Sequence, residues 1–163
     1  MALRQIITGL HPVLRRRAQP VKKINDPVLN LLQDMTETMY HAPGVGLAAP
    51  QIGISRRLVV IDPGEEQLLQ LINPCILEKK GEIIDLEGCL SLPGLTGEVP
   101  RAEWVAVEYL DPRGKKVRLQ AEGLMARILQ HEIDHLEGVL FIDKALRMVD
   151  PEGERAKEGK KSE

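Results

Sequence analysis

The chain has 163 residues, 43% of them hydrophobic, which suffices for one core and argues against two domains. A formal charge of -2 and only four aromatic residues (Tyr40, Trp104, Tyr109 and Phe141) deny it the basic face and stacking platforms of a nucleic-acid binder. The start has no apolar signal region, and no stretch approaches the roughly 20 apolar residues of a membrane span, so a soluble, cytoplasmic protein without membrane contact is expected.

In chain order, the first predicted element is an amphipathic helix opening at Asn25-Asp26-Pro27, a capping residue followed by a proline in the first turn. Val28, Leu31, Leu32, Met35 and Met39 form its apolar stripe, and Pro43-Gly44 end it. After the glycine-rich stretch from Gly44 to Gly53, Leu58-Val59-Val60-Ile61 and Leu68 to Ile72 read as strands. Trp104 to Leu110, the turn Asp111-Pro112-Arg113-Gly114 and Lys115 to Leu119 read as a hairpin. A second helix is predicted from about Gly123 to Leu136, because Leu124, Ile128, His131 and His135 fall on one helical face. Gly138 ends it, and Val139 to Asp143 reads as a short extended segment. Residues 1–148 are read as a single catalytic domain. The tail, 149–163, alternates acid and base with almost no apolar residue and is expected to fray.

The strongest chemical signal is His131-Glu132-Ile133-Asp134-His135 on the second helix. Histidines four apart lie one turn above each other and can share a divalent ion, with Glu132 beside it to act on the proton of a bound water. Two imidazoles leave a catalytic site one protein ligand short. A histidine six residues after His135 would complete one known pattern, but that position is Phe141. Glu152 and Glu154 lie in the polar tail. Cys89, in Glu87-Gly88-Cys89-Leu90-Ser91-Leu92-Pro93, offers a thiolate on what reads as a fixed turn. The other cysteine, Cys75, reads as a buried thiol, and a Cys75–Cys89 bridge is left open. In the third block, Gly44-Val45-Gly46-Leu47-Ala48-Ala49-Pro50-Gln51, close-set glycines let backbone approach a ligand. The Gln51 amide can donate to a carbonyl oxygen that gains charge; taken alone, the block is a flexible loop.

Together, Gly44 to Gln51, Glu87 to Ser91 and Gln130 to His135 resemble, in order, the three signature motifs of the peptide deformylases, and the likeness covers all but the tail. The resemblance implies an α+β fold, with mostly antiparallel sheets packed around a central helix that carries the histidines. It implies a metal-dependent hydrolase that removes the formyl group from the N-terminal formylmethionine of new polypeptides and releases formate. It assigns Cys89, His131 and His135 to the metal, Glu132 to acid/base chemistry, and Gln51 with the Leu90 backbone N–H to the oxyanion. Val45, Gly46, Leu124 and Ile128 resemble positions that shape or flank the methionine pocket.

Fe(II) is the ion the resemblance implies, with zinc, nickel or cobalt accepted. It also implies N-formylmethionyl nascent peptides as partners and transient ribosome contact. Docking through the tail is not expected, because Arg155, Lys157, Lys160 and Lys161 are offset by Glu152, Glu154, Glu158 and Glu163. Glu87 and Arg101 offer a carboxylate–guanidinium pair to brace the Cys89 turn. The readings weighed against this one are a small zinc endopeptidase with Glu152 or Glu154 as third ligand, and a catalytically silent binding protein. The presence of Glu132 and Gln51 argues against the second.

Overall fold

The first helix starts where Asn25 accepts the Val28 N–H on its side-chain oxygen at 3.2 Å, with Pro27 in the first turn, where a missing N–H costs nothing. In the computed structural model, which describes residues 2–64 and 66–149, this helix (α1) spans Asp26–His41. Chain order then gives strands β1 (Gly46–Ala48), β2 (Leu58–Ile61), β3 (Leu69–Lys80), β4 (Ile83–Cys89), β5 (Leu92–Arg101), β6 (Trp104–Leu110) and β7 (Lys116–Glu122). The helix α2 (Gly123–Leu136), a short helix α3 (Phe141–Lys144) and β8 (Arg147–Val149) follow. All pairings between these strands are antiparallel, in a five-stranded sheet ordered β1-β2-β3-β6-β7 and a three-stranded sheet ordered β4-β5-β8.

Strand β2 explains its own composition. Val59 and Ile61 pack in the core that contains Leu129, Ile133 and Leu136 of α2, while Leu58 and Val60 pack with Leu32, Met35 and Met39 of α1. A strand covered on both faces has no polar side to show, so it reads as a continuous apolar run. A third core joins Val13 and Leu14 of an N-terminal 3-10 turn to Leu92, Val99, Leu140 and Phe141. It backs the three-stranded sheet.

Several expectations change. The glycine-rich block is ordered: β1 leads directly into a 3-10 turn, Ala49–Ile52, and Gln51 is buried there. Residues 141–144, within and just past the stretch read as extended, are helical, because the Asp143 carboxylate accepts the Leu140 N–H at 2.9 Å and caps the turn. Cys75 is exposed and both cysteines are free thiols. The pairing of β3 with β6 slips between Ile72 and Cys75, at Asn73 with its φ of 53°, and the apolar run past that bulge is covered on one face only. The tail beyond Val149 lies outside the described residues, and Val149 itself is buried in β8.

Helix α2 ends as Gly138 predicts. The Gly138 N–H donates to the His135 carbonyl at 3.1 Å and the Val139 N–H to the Asp134 carbonyl at 3.0 Å, the paired bonds of a left-handed glycine cap. Gly138 has a φ of 76°, and a Cβ there would stand 2.5 Å from the Arg15 carbonyl oxygen. Gly94 has a φ of 83° but open space around it. Gly94→Ala is therefore expected to lose about 1–2 kcal/mol to backbone strain alone, and Gly138→Ala clearly more. Urea unfolding of the two variants checks this, and equal losses would contradict the close packing assigned to Gly138.

Candidate metal centre

The polar contacts between the three-stranded sheet and α2 centre on one carboxylate. Glu87 of β4 receives Arg101 of β5 on both oxygens, Nε to Oε2 at 2.8 Å and NH2 to Oε1 at 2.9 Å. From α2, Arg127 donates to Oε2 at 2.6 Å, and His131 Nδ1 lies 2.9 Å from Oε1. Arg101 reaches α2 a second time, at Asp134 Oδ2, 2.6 Å away. Arg127 also donates to the carbonyls of Val99, at 3.0 Å, and Ile83, at 2.7 Å, so one side chain ties the helix to both strands. Burial alone would raise the Glu87 pKa, but hydrogen bonds from Arg101 and His131 and their charges outweigh it and hold the carboxyl down at about 2. The expected Glu87–Arg101 pair is present, as part of this wider cluster.

Two residues beyond Glu87, Cys89 closes β4 and pairs with Leu92 across a tight turn made of Leu90 and Ser91. That turn aims the thiol at α2. Cys89 Sγ is 3.3 Å from His135 Nε2, and one donor atom each from Cys89, His131 and His135 fall within 4.8 Å of one another. The three are therefore able to hold one ion, and the donors suit it chemically. A thiolate and two imidazoles bind several first-row divalent metals, and the Glu87 carboxylate on Nδ1 of His131 leaves Nε2 as its ligand atom. Burial pulls the His131 pKa down, while hydrogen bonds to Cys89 and Glu87 and the charges of Glu132 and Cys89 outweigh it and push it up. Nδ1 of the buried His135 finds no hydrogen-bond partner among the described residues.

Glu132 lies beside these ligands, 5% exposed, with Oε1 unpartnered among the described residues. Burial, helped by the charge of Glu87, raises its pKa to about 7 against the pull of His131 and Arg101. The glycine block makes room for it. A Cβ on Gly46 would stand 2.6 Å from Glu132 Oε2, so the close approach foreseen for these glycines is to Glu132. Gln51 is held in one orientation: its Oε1 accepts the Ala48 N–H at 2.9 Å, which turns Nε2 toward Ser91 Oγ, at 3.2 Å, and Cys89 Sγ, at 3.6 Å.

These groups line a cleft of about 370 Å³. Gln51, Cys89, Leu90, His131 and Glu132 form its polar end, and His135 is buried behind it. Val45, Gly46, Leu124 and Ile128 line the same cleft, with Val45 and Leu124 exposed and Ile128 buried. All ten site residues expected from sequence thus gather in one place. Glu152 and Glu154, the third ligands of the endopeptidase reading, lie outside the described residues. Sequence reasoning missed Arg127, Asp134, Ser91 and the bond from Glu87 to His131. Arg127 carried a signal, since it precedes His131 by one helical turn and shares its face.

Removing the shared charge by Glu87→Gln leaves buried guanidinium groups underpaired. The expected loss is about 3–5 kcal/mol in urea unfolding. A loss below about 1 kcal/mol would show that the cluster does not dock the sheet.

Comparison with known proteins places these motifs in company. The family described as polypeptide deformylase matches residues 3–150. A peptide deformylase of Symbiobacterium thermophilum is 54% identical, over 100% of this chain and 77% of its own length. One of Thermoanaerobacter pseudethanolicus is 56% identical, over 93% of this chain and 95% of its own. Among solved structures, the peptide deformylase of Legionella pneumophila superposes with a TM-score of 0.85 at 47% identity, covering 88% of this chain and 86% of that one. That of Thermotoga maritima gives 0.86 at 44% identity, covering 89% and 99%.

Proposed function

The chain belongs to the polypeptide deformylase family, and from that premise we propose how its own residues divide the work of removing an N-formyl group. The overall activity is that of the family: hydrolysis of the formyl amide on the N-terminal formylmethionine of new polypeptides, with release of formate. Water adds to the formyl carbon, the carbon–nitrogen bond breaks, and the amine leaves with a proton.

In this reading Cys89, His131 and His135 hold one divalent ion, which when bound acts as a Lewis acid on the formyl oxygen and acidifies water. Glu132 takes the proton of the attacking water and passes it to the departing nitrogen, a task suited to a buried carboxyl beside the ligand set with one oxygen unpartnered among the described residues. The Gln51 Nε2–H and the Leu90 N–H donate to the formyl oxygen as it gains charge, each contributing about 2.7–4 kcal/mol by analogy with other such donors. The amide of Gln51 is already turned the right way by Ala48. Val45, Gly46, Leu124 and Ile128 receive the methionine side chain, a long apolar group that suits an apolar-walled cleft. Glu87 is a positioning residue for His131.

Fe(II) is the proposed native ion, with zinc, nickel or cobalt as functional substitutes. The single catalytic domain runs through Val149, which is buried in β8, so the polar tail read from sequence as 149–163 starts one residue later. The setting proposed is the cytoplasm, with nascent peptides presented during transient contact with the ribosome. No helix of the described residues is long and apolar enough to cross a membrane.

The observation that carries this reading is the convergence of one thiol and two imidazoles within 4.8 Å, next to the buried Glu132. It is tested by formate release from an N-formylmethionyl peptide, with metal analysis on the same anaerobically purified protein. Glu132→Ala is expected to keep its metal and lose about 10²–10⁴-fold in kcat. Cys89→Ala is expected to lose metal and activity together. Unchanged metal content in Cys89→Ala would remove the cysteine from the ligand set.

A further inference from the structure

Residues 2–19 contain no long helix or strand, yet their backbone is tied to the turn that holds Gln51, to the turn that holds Leu90 and to the end of α2. The Ile7 N–H donates to the Gln51 carbonyl at 2.7 Å, and the Gly9 N–H to the Ser91 carbonyl at 2.9 Å. Further on, the Ala18 N–H donates to the Leu136 carbonyl at the end of α2, at 2.8 Å. Upstream, the segment is moored on α1: the Arg4 N–H reaches Thr38 Oγ1 at 2.9 Å and Arg4 Nε reaches Asp34 Oδ2 at 3.0 Å.

The middle pair is the informative one. Gln51 lies in the 3-10 turn that follows β1 of the five-stranded sheet, and Ser91 follows Leu90 in the turn between β4 and β5 of the other sheet. The two groups proposed to meet the formyl oxygen therefore stand on different sheets, and no strand pairing sets the gap between them. Their direct polar links, from Gln51 Nε2 to Ser91 Oγ and Cys89 Sγ, use the same N–H groups that have to be given up to substrate. The bonds from Ile7 and Gly9 go to main-chain carbonyls and persist when Nε2 changes partner.

We propose that residues 7–9 are a strap that sets the distance between the Gln51 side chain and the Leu90 N–H, with Ile7 and Gly9 as positioning residues. The proposal rests on the reading of Gln51 and Leu90 as donors to the formyl oxygen. Misplacement of such a donor by about 1 Å is enough to slow a reaction about 100-fold without touching substrate binding.

The test is a double-mutant cycle on the full chain, with formate release from an N-formylmethionyl peptide as the assay. Ile7→Pro removes the N–H that holds Gln51. Alone, it is expected to lower kcat about 10–100-fold, with metal content unchanged and KM within about twofold. In a Gln51→Ala background the same change should cost less than about threefold further, because the residue it positions is gone. Equal losses in both backgrounds would overturn the strap, since a general loosening of the fold adds to the loss of Gln51. If Gln51→Ala alone leaves kcat intact, the donor assignment fails first and takes the strap with it, a result distinct from equal losses. Should Ile7→Pro not fold, Ile7→Gly keeps the chain continuous but slackens it, and runs through the same cycle. A kcat loss from Ile7→Gly that shrinks when Gln51 is absent supports the strap. A loss that ignores Gln51, or no loss at all, overturns it.

Discussion

The site depends on a buried charge cluster rather than on apolar packing. Glu87 of β4 touches both β5, through Arg101, and α2, through Arg127 and His131. It therefore decides where the three-stranded sheet docks on the helix, and Cys89 stands two residues further along the same strand. A buried ion pair is an expensive way to gain stability, because each charge must leave water. It is an effective way to fix register. A slip of one residue in β4 would turn Glu87 to the opposite face and take from two buried guanidinium groups the carboxylate they share, a penalty no aliphatic contact would impose.

That docking brings together three sequence-distant pieces whose chemistry is complementary. Helix α2 supplies imidazoles one turn apart and Glu132 between them; the β4–β5 turn supplies a thiol and a backbone N–H; β1 and the turn after it supply Gly46 and Gln51. Each piece is set by a local device. The helix is stopped by the glycine cap at Gly138, the turn by the Cys89–Leu92 pairing, and the Gln51 amide by its bond from the Ala48 N–H. Gly46 shows how tight the fit is, since even a methyl group there would overlap the Glu132 carboxylate. Rigid placement of this kind favours a reaction in which several groups act on one small carbonyl at once.

Much of this was legible in the sequence, where local physics and tertiary structure agree. The Asn25 cap, the apolar stripe running into His131 and His135, and the two-faced run Leu58 to Ile61 each announce their element. What stayed hidden depended on partners far along the chain. Strand β4 is exposed on both faces from Ile83 to Leu86, β5 is exposed from Pro93 to Leu95, and both contain glycines, so neither shows a buried apolar run. The turn at Phe141 is made by a cap from Asp143, which sequence read as the end of an extended stretch. Cys75 looked buried because its neighbours are apolar, and only the bulge at Asn73 explains its exposure. The bond from Glu87 to His131 joins residues 44 apart, and a lone Glu-Gly-Cys gives no hint of it.

The central claim is that a cysteine brought in by a strand completes the coordination begun by two helical histidines. X-ray absorption at the metal edge of the purified protein tests it most directly, because sulfur and nitrogen scatter differently. The account expects one sulfur and two imidazole nitrogens around the ion. A shell made only of nitrogen and oxygen would contradict it.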